Sequence, residues 1–519
     1  MKFFKNCLFA IVALMLVTSC NKVENKMESQ IPADALLVVK ANVPQLVENL
    51  GVEVKDGQMV LPQKFSQMLT DMGVKMDEFK AESGKLLESG IDFKHSIYAF
   101  MPNVQLAKGG DFTFVAMIPV ADEAKLKDYL AKEMKVTLEE KEGLPLATQS
   151  GTTYALKDGI FYCAAGNVDN PAAKLNALAS LEKNMSDNKA IVKALDASDD
   201  VNLYVDTKNL LTQVKESAGN MGGAQGQMAG VFFDLLDVKS SAYHLSFAGD
   251  EWNFRCENEV DDNSDFMKLV NSVTSKPSAD LLAFMPKAGN MGAFSVSLNG
   301  EGIANLEMVK SSLNQLGNDP QINKMVDIFK SINGPVTMGF ASETLSVDDM
   351  DIAIAFKCGK ANDLLAMIKE MAPADIYTQK GDEFELHEQV NGFTATMGVK
   401  DGAVYIKLTH KAYADNMAAV AEAKDAIGSN VSGAFCLLTL DNMQMQFVGG
   451  GKDVKESKAT MWVKEDGKKL NALDALTFFM RLSSKMKDLA PAQDLSVFGN
   501  FSMGEPAGYD EEFNFDETL

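Results

Sequence analysis

Residues Ser96 to Met134, SIYAFMPNVQLAKGGDFTFVAMIPVADEAKLKDYLAKEM, return in altered form as Pro335 to Met371, PVTMGFASETLSVDDMDIAIAFKCGKANDLLAMIKEM. Each stretch reads as strand, polar turn, strand and then amphipathic helix. In the first helix Ala124, Leu126, Leu130 and Met134 fall roughly on one side, and in the second Leu364, Leu365, Ile368 and Met371 do.

Other segments repeat in the same order. Ile31-Pro-Ala-Asp, Lys276-Pro-Ser-Ala-Asp and Ala490-Pro-Ala-Gln-Asp each precede a short apolar run, a turn closed by proline and aspartate leading into a strand. Gly159-Ile-Phe-Tyr parallels Gly402-Ala-Val-Tyr, with a helix expected after each, from Pro171 behind a capping Asn170 and from about Ala412. VNLYVDTKNLL from Val201 matches GAFCLLTLDNM from Gly433. Strand-like SAYHLSFAGDEWNFRCENEV and KATMWVKEDGKKL are each followed by a helix, Asp265 to Val273 and Asp474 to Met486. A shared order of this kind predicts an α+β chain of two homologous modules, 31–275 and 276–490, each a mainly antiparallel sheet flanked by helices. A strand at 281–286 is expected to pair with the first module and dock the two. Residues 491–519 are expected to supply a sheet-completing strand and an acidic tail.

The amino terminus carries its own signal. Lys2 and Lys5 precede ten apolar residues, Leu8 to Val17, too few to cross roughly 30 Å of hydrocarbon. Val17-Thr18-Ser19-Cys20 resembles a bacterial lipobox, so residues 1–19 read as a signal peptide and Cys20 as the lipidated first residue. Residues 20–30 read as a polar tether, and Asn21 favours the outer membrane. The expected location is the cell envelope, with the membrane engaged through lipid on Cys20. The lipobox, the Ile31-Pro-Ala-Asp-Ala opening and the doubled pattern together resemble a family of uncharacterised lipoproteins found mainly in gut Bacteroidetes, domain of unknown function 4836. That resemblance implies the duplicated α+β fold and brings no activity or catalytic residue with it.

A net charge of −23, or −25 once Lys2 and Lys5 leave with the signal, repels phosphate backbones and disfavours nucleic acid. Of six cysteines, Cys163, Cys256, Cys358 and Cys436 remain beyond Cys7 and Cys20, each in an apolar or alternating segment that favours single buried thiols. The four histidines, His95, His244, His387 and His410, form no metal-ligand spacing, and His244 in AYHLSF reads as a strand residue. Gly449-Gly450-Gly451-Lys452 lacks a P-loop's earlier glycine and reads as a turn. The acidic groups Asp261, Asp262, Asp265 and Asp348, Asp349, Asp351 miss the calcium-loop pattern, and Asn263 or Ser264 reads instead as a helix cap. Trp252 and Trp462 sit in strand-like segments and offer no sugar platform. No metal or cofactor is expected.

Three functions fit this sequence. The first is a non-enzymatic envelope protein that binds a protein or cell-wall component or acts as a scaffold. The second is a binder of an apolar or amphiphilic small molecule, with Met221, Met228, Phe232 and Phe233 of the glycine-rich segment Asn220 to Phe233 as a ligand or partner loop. That segment's counterpart is read near 448–457. The third is a hydrolase with dispersed acidic residues. The absence of catalytic motifs favours the first. Intact-mass measurement of the protein purified from its native membrane is expected to show a chain beginning at Cys20 with acyl chains attached. A different start, or a bare thiol, overturns the anchor.

Overall fold

Two Asp-Gly turns punctuate equivalent places in the fold. Asp158-Gly159 (φ 56° and 77°) and Asp401-Gly402 (φ 52° and 71°) hold positive φ at both positions. That conformation gives a two-residue hairpin whose twist suits its strands. The computed structural model describes residues 22–104, 110–219, 237–287, 289–315, 320–346, 349–371, 377–381, 383–386, 394–409 and 417–489.

The first half contributes β1 (Leu37–Ala41), β2 (Ile97–Met101), β3 (Phe114–Pro119), β4 (Glu139–Lys141) and β5 (Leu144–Gln149). It continues with β6 (Thr152–Lys157), β7 (Ile160–Ala165), β8 (Val201–Val205), β9 (Val238–Ser246) and β10 (Trp252–Val260). The second half contributes β11 (Asn290–Asn299), β12 (Ile332–Ser342), β13 (Asp351–Cys358), β14 (Tyr377–Lys380) and β15 (Glu383–Leu386). It ends with β16 (Thr394–Lys400), β17 (Ala403–Thr409), β18 (Ser432–Leu440), β19 (Met443–Gly451) and β20 (Glu456–Glu465).

With the two-residue strand Lys468–Lys469, these form one 21-stranded antiparallel sheet. The first half runs β4-β5-β6-β7-β3-β2-β1-β8-β9-β10. Strand β10 then pairs with β20. From there the order is β20-β19-β18-β11-β12-β13-β17-β16-β15-β14. The strand order of the second half is therefore that of the first, met in reverse from the join.

Helices close the front face. Helix Pro171–Leu178 begins where Asn170 accepts the Ala173 N–H at 3.0 Å, and helix Lys189–Leu195 where Asn188 accepts the Ala190 N–H at 3.0 Å. Their residues Leu175, Ile191 and Leu195 bury against Val38, Tyr98 and Phe100. In the second half, helix Met417–Gly428 supplies Ala423 and Ile427 to a core with Ala293, Tyr405 and Phe435. The last helix, Ala472–Leu489, crosses to the first half. There Ala472 and Leu473 share a core with Leu46, Phe65 and Leu69. Helix Gln63–Asp71 has Pro62 at its N-cap, which offers no side-chain acceptor, and Asp474 supplies one by accepting the Phe65 N–H at 2.8 Å.

Several expectations are corrected. Residues 281–286 are not a docking strand: Asp280–Phe284 is a 3-10 turn whose Leu281 and Leu282 plug the second core, and β10 with β20 makes the join. Residues 22–28 of the expected tether are helical, with Met27 buried and Glu28 accepting the Tyr98 hydroxyl at 2.6 Å. Gly449–Gly451 is not a turn but the end of β19, and the counterpart of the β8–β9 connection is the two-residue turn Asp441-Asn442, not 448–457. The third Pro…Asp segment and the tail lie outside the described residues. Removing the borrowed cap by Asp474→Ala is expected to cost about 1–2 kcal/mol in chemical denaturation. An unchanged unfolding free energy would show that the contact is dispensable.

Candidate functional site

One row of register partners crosses the join. It runs Lys40, Asn202, His244, Arg255, then Lys458, Gly450, Gly433, Ser295. Cross-strand partners share a face, so all eight point to the front. Taken inward from both ends, Asn202 occupies the place of Gly433, His244 that of Gly450, and Arg255 that of Lys458.

The two halves use that place differently. A Cβ on Gly433 would lie 3.0 Å from Ile427 Cα and 3.1 Å from Ala426 O, and one on Gly450 would run into the Asn430 amide. Helix Met417–Gly428 and the turn after it thus rest directly on bare strand backbone, and the space left is about 230 Å³. In the first half His244 lines that space, with Asn202 buried beneath the Ala197–Asp199 loop beside it, while the facing helix presents Ala190 and Ala194 and the segment after it Ala197. A cleft of about 590 Å³ remains, within the range of small-molecule sites.

Its floor is fixed by hydrogen bonds. Asn202 Nδ2 donates to the carbonyls of Ala197 and Asp199, each at 3.1 Å, which turns Oδ1 toward His244 Nδ1 at 2.7 Å. His244 therefore carries its proton on Nδ1 and offers Nε2 as an acceptor. The imidazole lines the cleft while only 3% exposed. Beside it stands a ladder of alternating charge. Asp199 meets Arg255 at 3.0 Å, Arg255 meets Glu257 at 2.7 Å, and Glu257 meets Lys193 at 2.9 Å. The Lys193 hydrogen bond, reinforced by the positive charges of Lys193 and Arg255, holds Glu257 below the usual carboxylate range. Burial, and then the Arg255 charge, lower His244 below 6.5. Among the described residues no hydroxyl or thiol is hydrogen-bonded to His244, so the cleft pairs no nucleophile with this base.

The residues singled out from sequence lie elsewhere. Cys20, Met221, Met228, Phe232 and Phe233 are outside the described residues, as are His387, His410 and Asp348. Asp261 accepts the Asn263 N–H, Asp262 pairs with Lys455, and Asp349 accepts from Ser342 and Thr344. Ser264 caps the helix at Asp265. No cluster of three metal-ligating side chains occurs among the described residues. Cys163, Cys256, Cys358 and Cys436 are free thiols, and burial pushes Cys163 up to about 12 and Cys436 up to about 11. Sequence reasoning missed Asn202, Arg255 and Glu257. The alternation Asn253, Arg255, Glu257, Glu259 along β10 was the available signal: a strand with one face entirely polar.

Together these features define an α+β protein built on one antiparallel sheet, with a polar cleft beside its midline. The chain belongs to the family described as "Domain of unknown function (DUF4836)", matched over residues 27–427. No curated protein matches it. Among solved structures, crystal form III of TP0453 is similar at 12% identity and a TM-score of 0.28, over 48% of this chain and 86% of that one. Crystal form I of TP0453 gives 10% identity and 0.26, over 47% and 81%.

Because His244 is held neutral, an unfolded chain takes up its proton first. Stability is expected to be full above pH 6.5 and to fall as pH drops below that value toward the depressed folded pKa. His244→Gln should flatten that part of the profile. An imidazole resonance titrating at or above 6.5 in the folded protein would contradict the assignment.

Proposed function

We propose that this is a lipid-anchored protein of the cell envelope, held to the outer membrane through Cys20, that binds a cell-wall or envelope component without transforming it. Its two halves, 31–275 and 276–490, are homologous modules with divided labour. The second is the packed partner that completes the sheet, and the first carries the recognition site. The observation carrying this reading is the unequal use of one position in a repeated strand order. Glycines let a helix fill it in one half, whereas in the other His244, braced by buried Asn202, makes the floor of an open, polar cleft.

The lining favours a polar ligand over an apolar one. His244, Arg255, Glu257 and Lys193 supply its charges and hydrogen-bonding groups beside a strip of Ala190, Ala194, Ala197, Ala242 and Val260, and its one aromatic, Tyr204, is almost fully buried. Hydrolysis gains no support from a base without a nucleophile beside it.

The test is to plug the cleft. Ala197→Phe and Ala190→Phe are expected to abolish retention of the tagged, full-length protein on fragments of its native cell envelope, with far-UV circular dichroism unchanged. Retention that survives both substitutions in a folded protein would place recognition elsewhere.

A further inference from the structure

We infer that the first-half cleft takes a short amphoteric peptide, one carrying a free ammonium and a free carboxylate. This rests on the binding reading above and gives its ligand a chemical class.

The first ground is charge balance. The charged residues that line the cleft, Lys193, Arg255 and Lys455 against Glu257, Glu259 and Glu456, sum to zero, and Arg255, Glu257 and Lys193 pair in alternating sign. A ligand with net charge inserted among them takes one ion from its partner, which is costliest for half-buried Arg255 and Glu257. A ligand with both signs exchanges partners instead: its carboxylate takes donors from Lys193 or Arg255, and its ammonium takes acceptors from Glu257 or Glu259. Arg255 uses one N–H on Glu257 and one on Asp199, so its fork retains donors for a carboxylate.

The second ground is the neutral acceptor. Nε2 of buried His244 has no hydrogen-bond partner among the described residues, and it belongs to the cleft wall. An amide N–H or an ammonium satisfies it, whereas an unprotonated carboxylate or phosphate oxygen cannot.

The third ground is size and lining. A cleft of about 590 Å³ suits two or three residues of extended peptide. A saccharide of equal bulk would want an aromatic face, and Tyr204 is only 4% exposed.

Calorimetry on the full mature chain in detergent tests this with four probes: trialanine with free ends, its N-acetyl form, its C-amide form, and chitobiose. Free trialanine is expected to bind, and blocking either end to weaken it about three- to fivefold, the effect of one ion pair lost at an exposed wall such as Lys193 or Glu259. Lys193→Gln should weaken the free peptide but not the amide. Glu259→Gln should weaken the free peptide but not the acetyl form. This crossed pattern assigns each end of the peptide to its wall. Equal binding of free and blocked peptides, or binding of chitobiose alone, overturns the amphoteric assignment. If no peptide binds while the plugging substitutions still abolish envelope retention, the ligand class falls and the binding reading stands. If neither holds, both fall.

Discussion

The antiparallel pairing of β10 with β20 is the contact on which the rest of the molecule depends. Six register pairs, from Trp252 with Met461 to Glu257 with Glu456, join the ten strands of the first half to the eleven of the second. Side chains lock the seam from both ends: Asn258 donates to the Val454 carbonyl at 2.7 Å, and Thr460 donates to Asn253 at 3.0 Å. Backbone ladders of this kind satisfy groups that would otherwise be costly to bury. The seam also brings Lys455 and Glu456 to the cleft that lies within the first half. The site is thus bordered by both halves.

The contrast between the halves is a contrast between two ways of covering a sheet. Glycine at Gly433 and Gly450 removes side chains and lets a helix approach the backbone, gaining close packing. In the first half His244 floors the cleft and Asn202 lies buried beneath the Ala197–Asp199 loop, and both must be satisfied internally. The amide of Asn202 does this with two loop carbonyls and the imidazole, leaving only Nε2 unspent. A polar floor fixed in this way cannot collapse into the cleft.

Much of the scaffold was legible in the sequence. The strand–turn–strand–helix repeat, the helices at Pro171 and Asp265, and the strand position of His244 follow from periodicity and capping chemistry, and the structure has all of them. Leu126 and Leu130 are buried as their spacing implies, although Met134 beside them is exposed. The missed elements share a cause. Leu281 and Leu282 form an apolar run after Pro277, and a run of four or five residues does not say whether it is strand or turn until its packing partners are known. The Gly449–Gly451 run suggests a turn by composition, yet it is strand, paired on both sides with Ser432–Ala434 and Ser457–Ala459, and its Gly450 leaves room for the helix above. The cleft was hidden for a similar reason. Asn202, His244 and Arg255 lie on three strands, 42 and 11 residues apart in sequence, and only register brings them into one row.

A sheet this wide has a border problem. Any strand with one side unpaired invites further strands, and polymers grow from such margins. Among the described residues the outermost strands are Glu139–Lys141 and Tyr377–Lys380, three and four residues long. The first is entirely charged, and the second ends on a lysine held by Glu385. Among the described residues the long strands of the large sheet are thus inner ones, and its two margins are short strands that carry charge, a poor template for an added strand.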